Sequence, residues 1–140
     1  MRTNTLVLSA MSVGIGIIAI SAIAGPPKDP KAKFKAFEPV QDVHHQMEAQ
    51  DMLYNNIKDQ IIDKSWDEAE TSAWVLAELA NVNHFQSSEK RYQDFADAMS
   101  KDCVALAKAA RSRDVRAARA AMRKVQQDCK ACHDVYQKEE

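Results

Sequence analysis

The last quarter of the chain carries apolar residues at alternating steps of three and four. They are Val115, Ala118, Met122, Val125, Cys129, Cys132 and Tyr136. This period is that of one face of an α-helix packed against other helices, whereas a half-buried strand would alternate at every second residue. Steps of three and four in alternation are typical of the seam of a helical bundle, so we expect other helices of the chain to pack against this face.

The first of three further helical segments runs from about Pro39 to Lys64. Proline suits the first position of a helix, where its missing N–H has no partner to lose. The apolar residues of this segment form one stripe, made of Val40, Val43, Met47, Tyr54, Ile57 and Ile61. The stripe predicts which side of the helix faces the core, and it turns Met47 inward.

Polar residues mark where the other helices start. Ser65 and Glu68 form a capping box, which predicts a second helix reaching about His84. The third helix is expected to follow the pair Ser87–Ser88, and Asp114 is expected to cap the fourth. Glycine (3 residues) and aromatic residues (6%) are too scarce for a β-sandwich or barrel. We therefore predict an all-α fold, an antiparallel up-down-up-down four-helix bundle.

The N-terminus has the features of an export signal. Arg2 precedes an apolar run that ends in Ala22-Ile23-Ala24, the small-x-small pattern found before a cleavage site. Residues 1–24 are predicted to be a cleaved signal peptide, residues 25–37 a flexible lead-in and residues 38–140 the folded domain. Export would place the chain in the oxidising periplasm, with no stable membrane span after cleavage. The alternative is that the apolar run remains as a membrane anchor.

The fourth helix closes with Cys129-Lys130-Ala131-Cys132-His133, a C-x-x-C-H motif. Two thiols three residues apart lie on one side of a helix, so both can bond to the vinyl groups of one porphyrin while the next histidine binds the iron. A redox C-x-x-C pair would instead stand at the start of a helix, where the dipole lowers a thiol pKa. A zinc site would need a fourth ligand. The motif therefore predicts one covalently attached haem c.

The stretch from Asp94 to Tyr136 resembles the last two helices of class II c-type cytochromes, the cytochrome c-prime family. The resemblance extends over roughly residues 38–137 and is strongest in the C-terminal third. It implies a bundle with the haem near one end, thioether bonds to Cys129 and Cys132, and His133 as the fifth iron ligand. The resemblance also implies that homodimers can form.

The sixth iron position separates two kinds of family member. In an up-down-up-down bundle the first helix starts at the end where the fourth helix finishes. Met47, about 12 Å into the first helix, and His133, about 6 Å from the end of the fourth, can then flank one haem. The options are Met47, a histidine of the pair His44–His45, or no protein ligand.

The identity of the sixth iron ligand decides which of two functions is predicted. With Met47 bound, the chain is predicted to be a low-spin periplasmic electron carrier whose iron cycles between Fe(III) and Fe(II) by outer-sphere transfer. With the position open, the resemblance implies a five-coordinate cytochrome c-prime that binds NO or CO. Neither function requires a general acid, base or nucleophile, so the chain is not predicted to be an enzyme.

Charge is distributed unevenly along the chain. Residues 25–107 carry 9 basic against 15 acidic residues, whereas residues 108–140 carry 9 against 5. A basic face formed by Arg116, Arg119, Arg123 and Lys130 is either a solvated surface or a docking patch for an acidic redox partner. The overall charge of −1 gives no support to nucleic-acid binding.

Cys103 is the third cysteine of the chain. It lies between the apolar positions of the third helix and is expected to be a buried free thiol. The alternative for an exported protein is an intermolecular disulfide.

Overall fold

The computed structural model describes residues 37–137, so the predicted signal peptide and nearly all of the lead-in lie outside the described residues. Four helices occupy this range: α1 (Val43–Ile62), α2 (Trp66–Asn83), α3 (Lys90–Arg111) and α4 (Val115–Tyr136). Consecutive helices pack against each other across short connections, which makes neighbours antiparallel. The predicted all-α four-helix bundle is confirmed. None of these helices has the length and apolarity that a bilayer span requires.

The start of α1 differs from the prediction. The helix begins after Asp42 rather than at Pro39, because the Asp42 carboxylate accepts the N–H of His45 at 3.0 Å and so satisfies a donor of the first turn. Val40 is fully exposed and Val43 is 44% exposed, so both are wrongly placed in the predicted core stripe. The remaining stripe residues are buried or half-buried: Met47, Tyr54, Ile57 and Ile61.

The other three helices begin close to the predicted positions, but only the predicted cap of α4 is present. Ser65 is the N-cap of α2, but its side chain makes no capping hydrogen bond within the described residues, so the predicted capping box is wrong. Glu89 rather than a serine precedes α3, and the Ser87 hydroxyl accepts the Glu89 N–H at 3.1 Å. The Asp114 cap is confirmed, since its carboxylate accepts the N–H of Ala117 at 3.0 Å.

The apolar core fills the middle of the bundle. Every helix contributes a fully buried aliphatic side chain larger than alanine, and these are Ile57, Leu76, Leu106 and Val125. Alanine occupies many of the remaining core positions, which lets the helices approach closely. Cys103 is also buried in this core as a free thiol, as predicted, and burial raises the pKa of that thiol to about 12.

Candidate functional site

A cavity of about 380 Å³ lies at the end of the bundle where α1 begins and α4 finishes. Its walls come mainly from α1, α3 and α4, with Asn83 at the end of α2, and its volume falls within the usual range for ligand and cofactor sites. All four residues predicted to hold the haem line it: Met47, Cys129, Cys132 and His133. The bundle therefore brings the C-x-x-C-H motif of α4 and a methionine of α1 to one space.

The end of α4 presents both thiols to this cavity. Cys129 and Cys132 are half-buried and one helical turn apart, about 4.5 Å along the axis, and His133 is exposed. Tyr136 ties this last turn to α3, because its hydroxyl donates to Glu89 at 2.6 Å. The Tyr136 ring also packs edge-on against Tyr92, with the ring centroids 5.3 Å apart.

The start of α1 is held in place by hydrogen bonds from buried and half-buried glutamines. The Gln46 side-chain amide donates to the carbonyl of Leu79 on α2 at 2.7 Å, and its oxygen accepts from Gln86 at 2.8 Å. Gln46 is only 1% exposed, so these bonds fix the rotation of the first turns of α1. Met47, the next residue, is half-buried and lines the cavity.

The two histidines of α1 do not line the cavity. The side chain of His44 is 78% exposed and lies 3.4 Å from Glu48, one turn further along the helix. The ring of His45 lies 2.9 Å from the Asp42 carboxylate, which raises the pKa of His45 through a hydrogen bond. Of the ligands considered from the sequence for the sixth position, the cavity contains Met47.

Both thiols of the motif are less acidic than a free cysteine. Burial, reinforced by the neighbouring Asp128 carboxylate, raises the pKa of Cys129 to about 11. Burial also raises the pKa of Cys132. Cysteines that exchange disulfides have a lowered pKa, because the thiolate is the reactive species. The site is therefore poorly suited to thiol–disulfide exchange, and no group of three potential metal ligands forms among residues 37–137.

Polar atoms in the cavity wall lack partners. Five buried side-chain atoms have no hydrogen-bond partner within the described residues, and four of them are Gln50 Nε2, Asn83 Oδ1, Tyr92 Oη and Asp128 Oδ2. The residues of these four atoms all line the cavity. Buried polar groups normally have partners, because an unpaired one loses its hydration without compensation. A mostly apolar cavity with a few polar atoms and two adjacent thiols fits a haem, whose ring is apolar and whose propionates are polar.

Sequence reasoning missed these four residues. Gln50 follows Met47 by three positions and so shares its face of α1, which is a usable signal. Asn83 and Tyr92 reach the cavity only through the packing of α2 and α3 against the other helices, and no local pattern marks them. Asp128 directly precedes Cys129, but its burial depends on the closeness of α3.

Residues 83–137 match the model of a protein family described as Cytochrome C'. The match covers less than half of the 140 residues, and it contains the end of α2, all of α3 and all of α4, with the C-x-x-C-H motif. It supports the cytochrome c-prime class and a haem-binding role. No curated protein and no solved structure matches the chain.

Proposed function

We propose that this chain of the cytochrome c-prime class is a monohaem electron carrier of the periplasm. Cys129 and Cys132 would attach the haem through thioether bonds, and His133 and Met47 would be its axial ligands. The observation that carries the proposal is that α1 brings Met47 to the same cavity to which α4 brings the motif. The predicted signal peptide, which lies outside the described residues, supports the periplasmic location.

The residues around the cavity have clear parts in this function. A bound haem supplies the Fe(III)/Fe(II) couple. The two thioether bonds would hold it in both oxidation states. Tyr54, Phe95 and Met99 line the cavity and would limit the access of water to the bound haem. A methionine ligand favours the ferrous form and so raises the reduction potential. Only electrons are exchanged, so under this proposal the chain is not an enzyme.

The ligand is tested by Met47→Ala, with Met52→Ala as the matched control. Met52 also lies on α1 but is 59% exposed and does not line the cavity. We expect the wild type and Met52→Ala to give low-spin ferric spectra with the weak band of a methionine–iron bond. Met47→Ala should lose that band, become high-spin, and bind CO rapidly once reduced.

An unchanged spectrum in Met47→Ala would contradict the proposal, because another group or none would then fill the sixth position. Protein that is already high-spin before mutation would contradict it equally.

A second candidate function is the binding of NO or CO at an open sixth position. The observation that favours it is Gln50, which is 5% exposed, lines the cavity one turn from Met47, and has a side-chain N–H without a partner in the described residues. Such a donor can hydrogen-bond the outer atom of a diatomic ligand. This function predicts a five-coordinate wild type whose CO dissociation accelerates in Gln50→Leu.

A further inference from the structure

A second cleft, of about 300 Å³, lies between α1 and α4. These two helices make fewer contacts than consecutive helices do, which leaves the bundle open along this side. The floor of the cleft is apolar, with Ile61 and Met122 nearly buried and Ile62 60% exposed at its edge. We call this cleft the α1–α4 groove.

Three cations surround the apolar floor of the α1–α4 groove: Lys58, Arg119 and Arg123. All three are exposed, and none forms an ion pair with another residue of the range 37–137. No acidic side chain of that range lines the groove. The lining of the groove therefore carries three positive charges and no negative one, an arrangement that attracts acidic partners.

Four other basic residues of the range 37–137 form ion pairs, namely Lys90, Arg111, Arg113 and Lys130. Arg111 donates to Glu70 at 2.7 Å, and Lys130 lies 2.8 Å from Asp134 on the next turn of α4. Lys130 was predicted to extend the basic face toward the haem, but the Asp134 carboxylate offsets its charge. Of the predicted basic face, Arg119 and Arg123 line the groove and form no ion pair within the range 37–137.

The α1–α4 groove adjoins the haem cavity. Tyr54 lines both, and its hydroxyl donates to the carbonyl of Met122 on the groove floor at 3.5 Å. Arg123 precedes Cys129 by six residues, which is about 9 Å along α4. A protein seated in the groove would contact Tyr54, which also lines the cavity proposed to hold the haem.

We propose that the α1–α4 groove docks an acidic redox protein whose carboxylates surround an apolar side chain. This inference rests on the proposed function, since it assigns the surface through which the carrier exchanges its electron. An apolar centre with a charged rim is the usual arrangement of a protein interface. A second copy of this chain fits poorly, because a two-fold contact through the groove would oppose Lys58, Arg119 and Arg123 to themselves.

The test uses a plant-type [2Fe–2S] ferredoxin of negative net charge as the probe and the haem-loaded chain as the acceptor. One electron leaves the reduced cluster and one enters the ferric haem, and no bond forms or breaks. The rate is measured by stopped flow from low to high ionic strength. In Arg119→Glu/Arg123→Glu we expect a loss of about tenfold or more near 0.01 M salt, where charges act over about 30 Å, and a loss below about twofold near 1 M.

The matched control is Lys101→Glu/Lys108→Glu, which changes the net charge equally on the exposed side of α3. We expect the control to slow the reaction less than about threefold at low salt. Equal slowing by both double variants would overturn the proposal, because net charge alone would then set the rate. An unchanged rate in the groove variant would overturn it as well.

Size-exclusion chromatography tests the alternative occupant of the groove, which is a second copy of this chain. We expect Ile62→Glu to leave the elution volume unchanged and to weaken the reaction with ferredoxin at high salt. Conversion of a dimer into a monomer by Ile62→Glu would show that two copies meet at the groove and would overturn the proposal. The absorption spectrum of each sample distinguishes failure of the docking surface from failure of the proposed function. If the spectrum shows methionine ligation and the groove variant reacts at the wild-type rate, only the docking surface is contradicted. If the wild type is five-coordinate, the proposed Met47 ligand is contradicted.

Discussion

At the scale of the residue, Asp128 in the cavity wall has a carboxyl group whose surroundings disfavour ionisation. Burial, with the Asp102 carboxylate beside it, raises the pKa of Asp128 from 3.8 to about 6. Its Oδ2 atom is buried without a hydrogen-bond partner in the described residues. The charged form of Asp128 is therefore disfavoured in the folded state relative to the unfolded state.

This raised pKa predicts the pH dependence of Asp128→Asn. The folded chain binds the Asp128 proton more tightly than the unfolded chain, so the wild type loses stability as pH rises from about 4 to about 6. Asparagine copies the shape of the protonated carboxyl group without its charge. We expect Asp128→Asn to raise the unfolding midpoint of the haem-loaded protein at pH 8 and to lose that advantage below about pH 4.

Urea unfolding at a series of pH values measures the effect, with the exposed Asp59→Asn on α1 as the control. The control should show no comparable gain at pH 8. A less stable Asp128→Asn at pH 8 would show that the carboxylate is needed in its charged form.

At the scale of the element, the type and most of the inner face of each helix could be predicted from the sequence. Val43 of the α1 stripe and Val115 of the α4 seam are exposed, and the start of α1 could not be predicted. The pattern of α4 is strong because every seam residue lies on one helix and needs no information from elsewhere. Both Pro39 and Asp42 are residue types that favour a helix start. The helix begins after Asp42 because the Asp42 carboxylate can accept a backbone N–H of the first turn, which the Pro39 side chain cannot do. Asp114 had no such competitor, and its cap is as predicted.

The α4 cap predicts a specific pair of outcomes. Asp114→Ala should lower the free energy of unfolding by about 1 kcal/mol, because the Ala117 N–H loses its acceptor. Asp114→Asn should be nearly neutral, since asparagine caps helices equally well. Chemical unfolding followed by circular dichroism measures both. Equal losses in the two variants would mean that the charge, rather than the hydrogen bond, stabilises the start of α4.

At the scale of the whole molecule, the sequence predicts the site residues that lie close together in the chain. It misses most of those that only the packing of separate helices brings to the cavity. Cys129, Cys132 and His133 share one turn, so their spacing alone indicates their chemistry. Met47 could be inferred because antiparallel topology puts the start of α1 beside the end of α4. The polar wall and the α1–α4 groove depend on how far apart distant helices lie and how they are rotated, which no local pattern encodes.

The central claim is the covalent attachment of one haem at the end of α4, and mass spectrometry of exported protein tests it most directly. In a host that makes c-type cytochromes, we predict that the peptide containing Cys129 and Cys132 is heavier by one haem and that neither residue takes up an alkylating reagent. Cys103, whose pKa burial raises to about 12, should be alkylated only after unfolding. A peptide of unmodified mass, with both motif thiols alkylated, would contradict the claim.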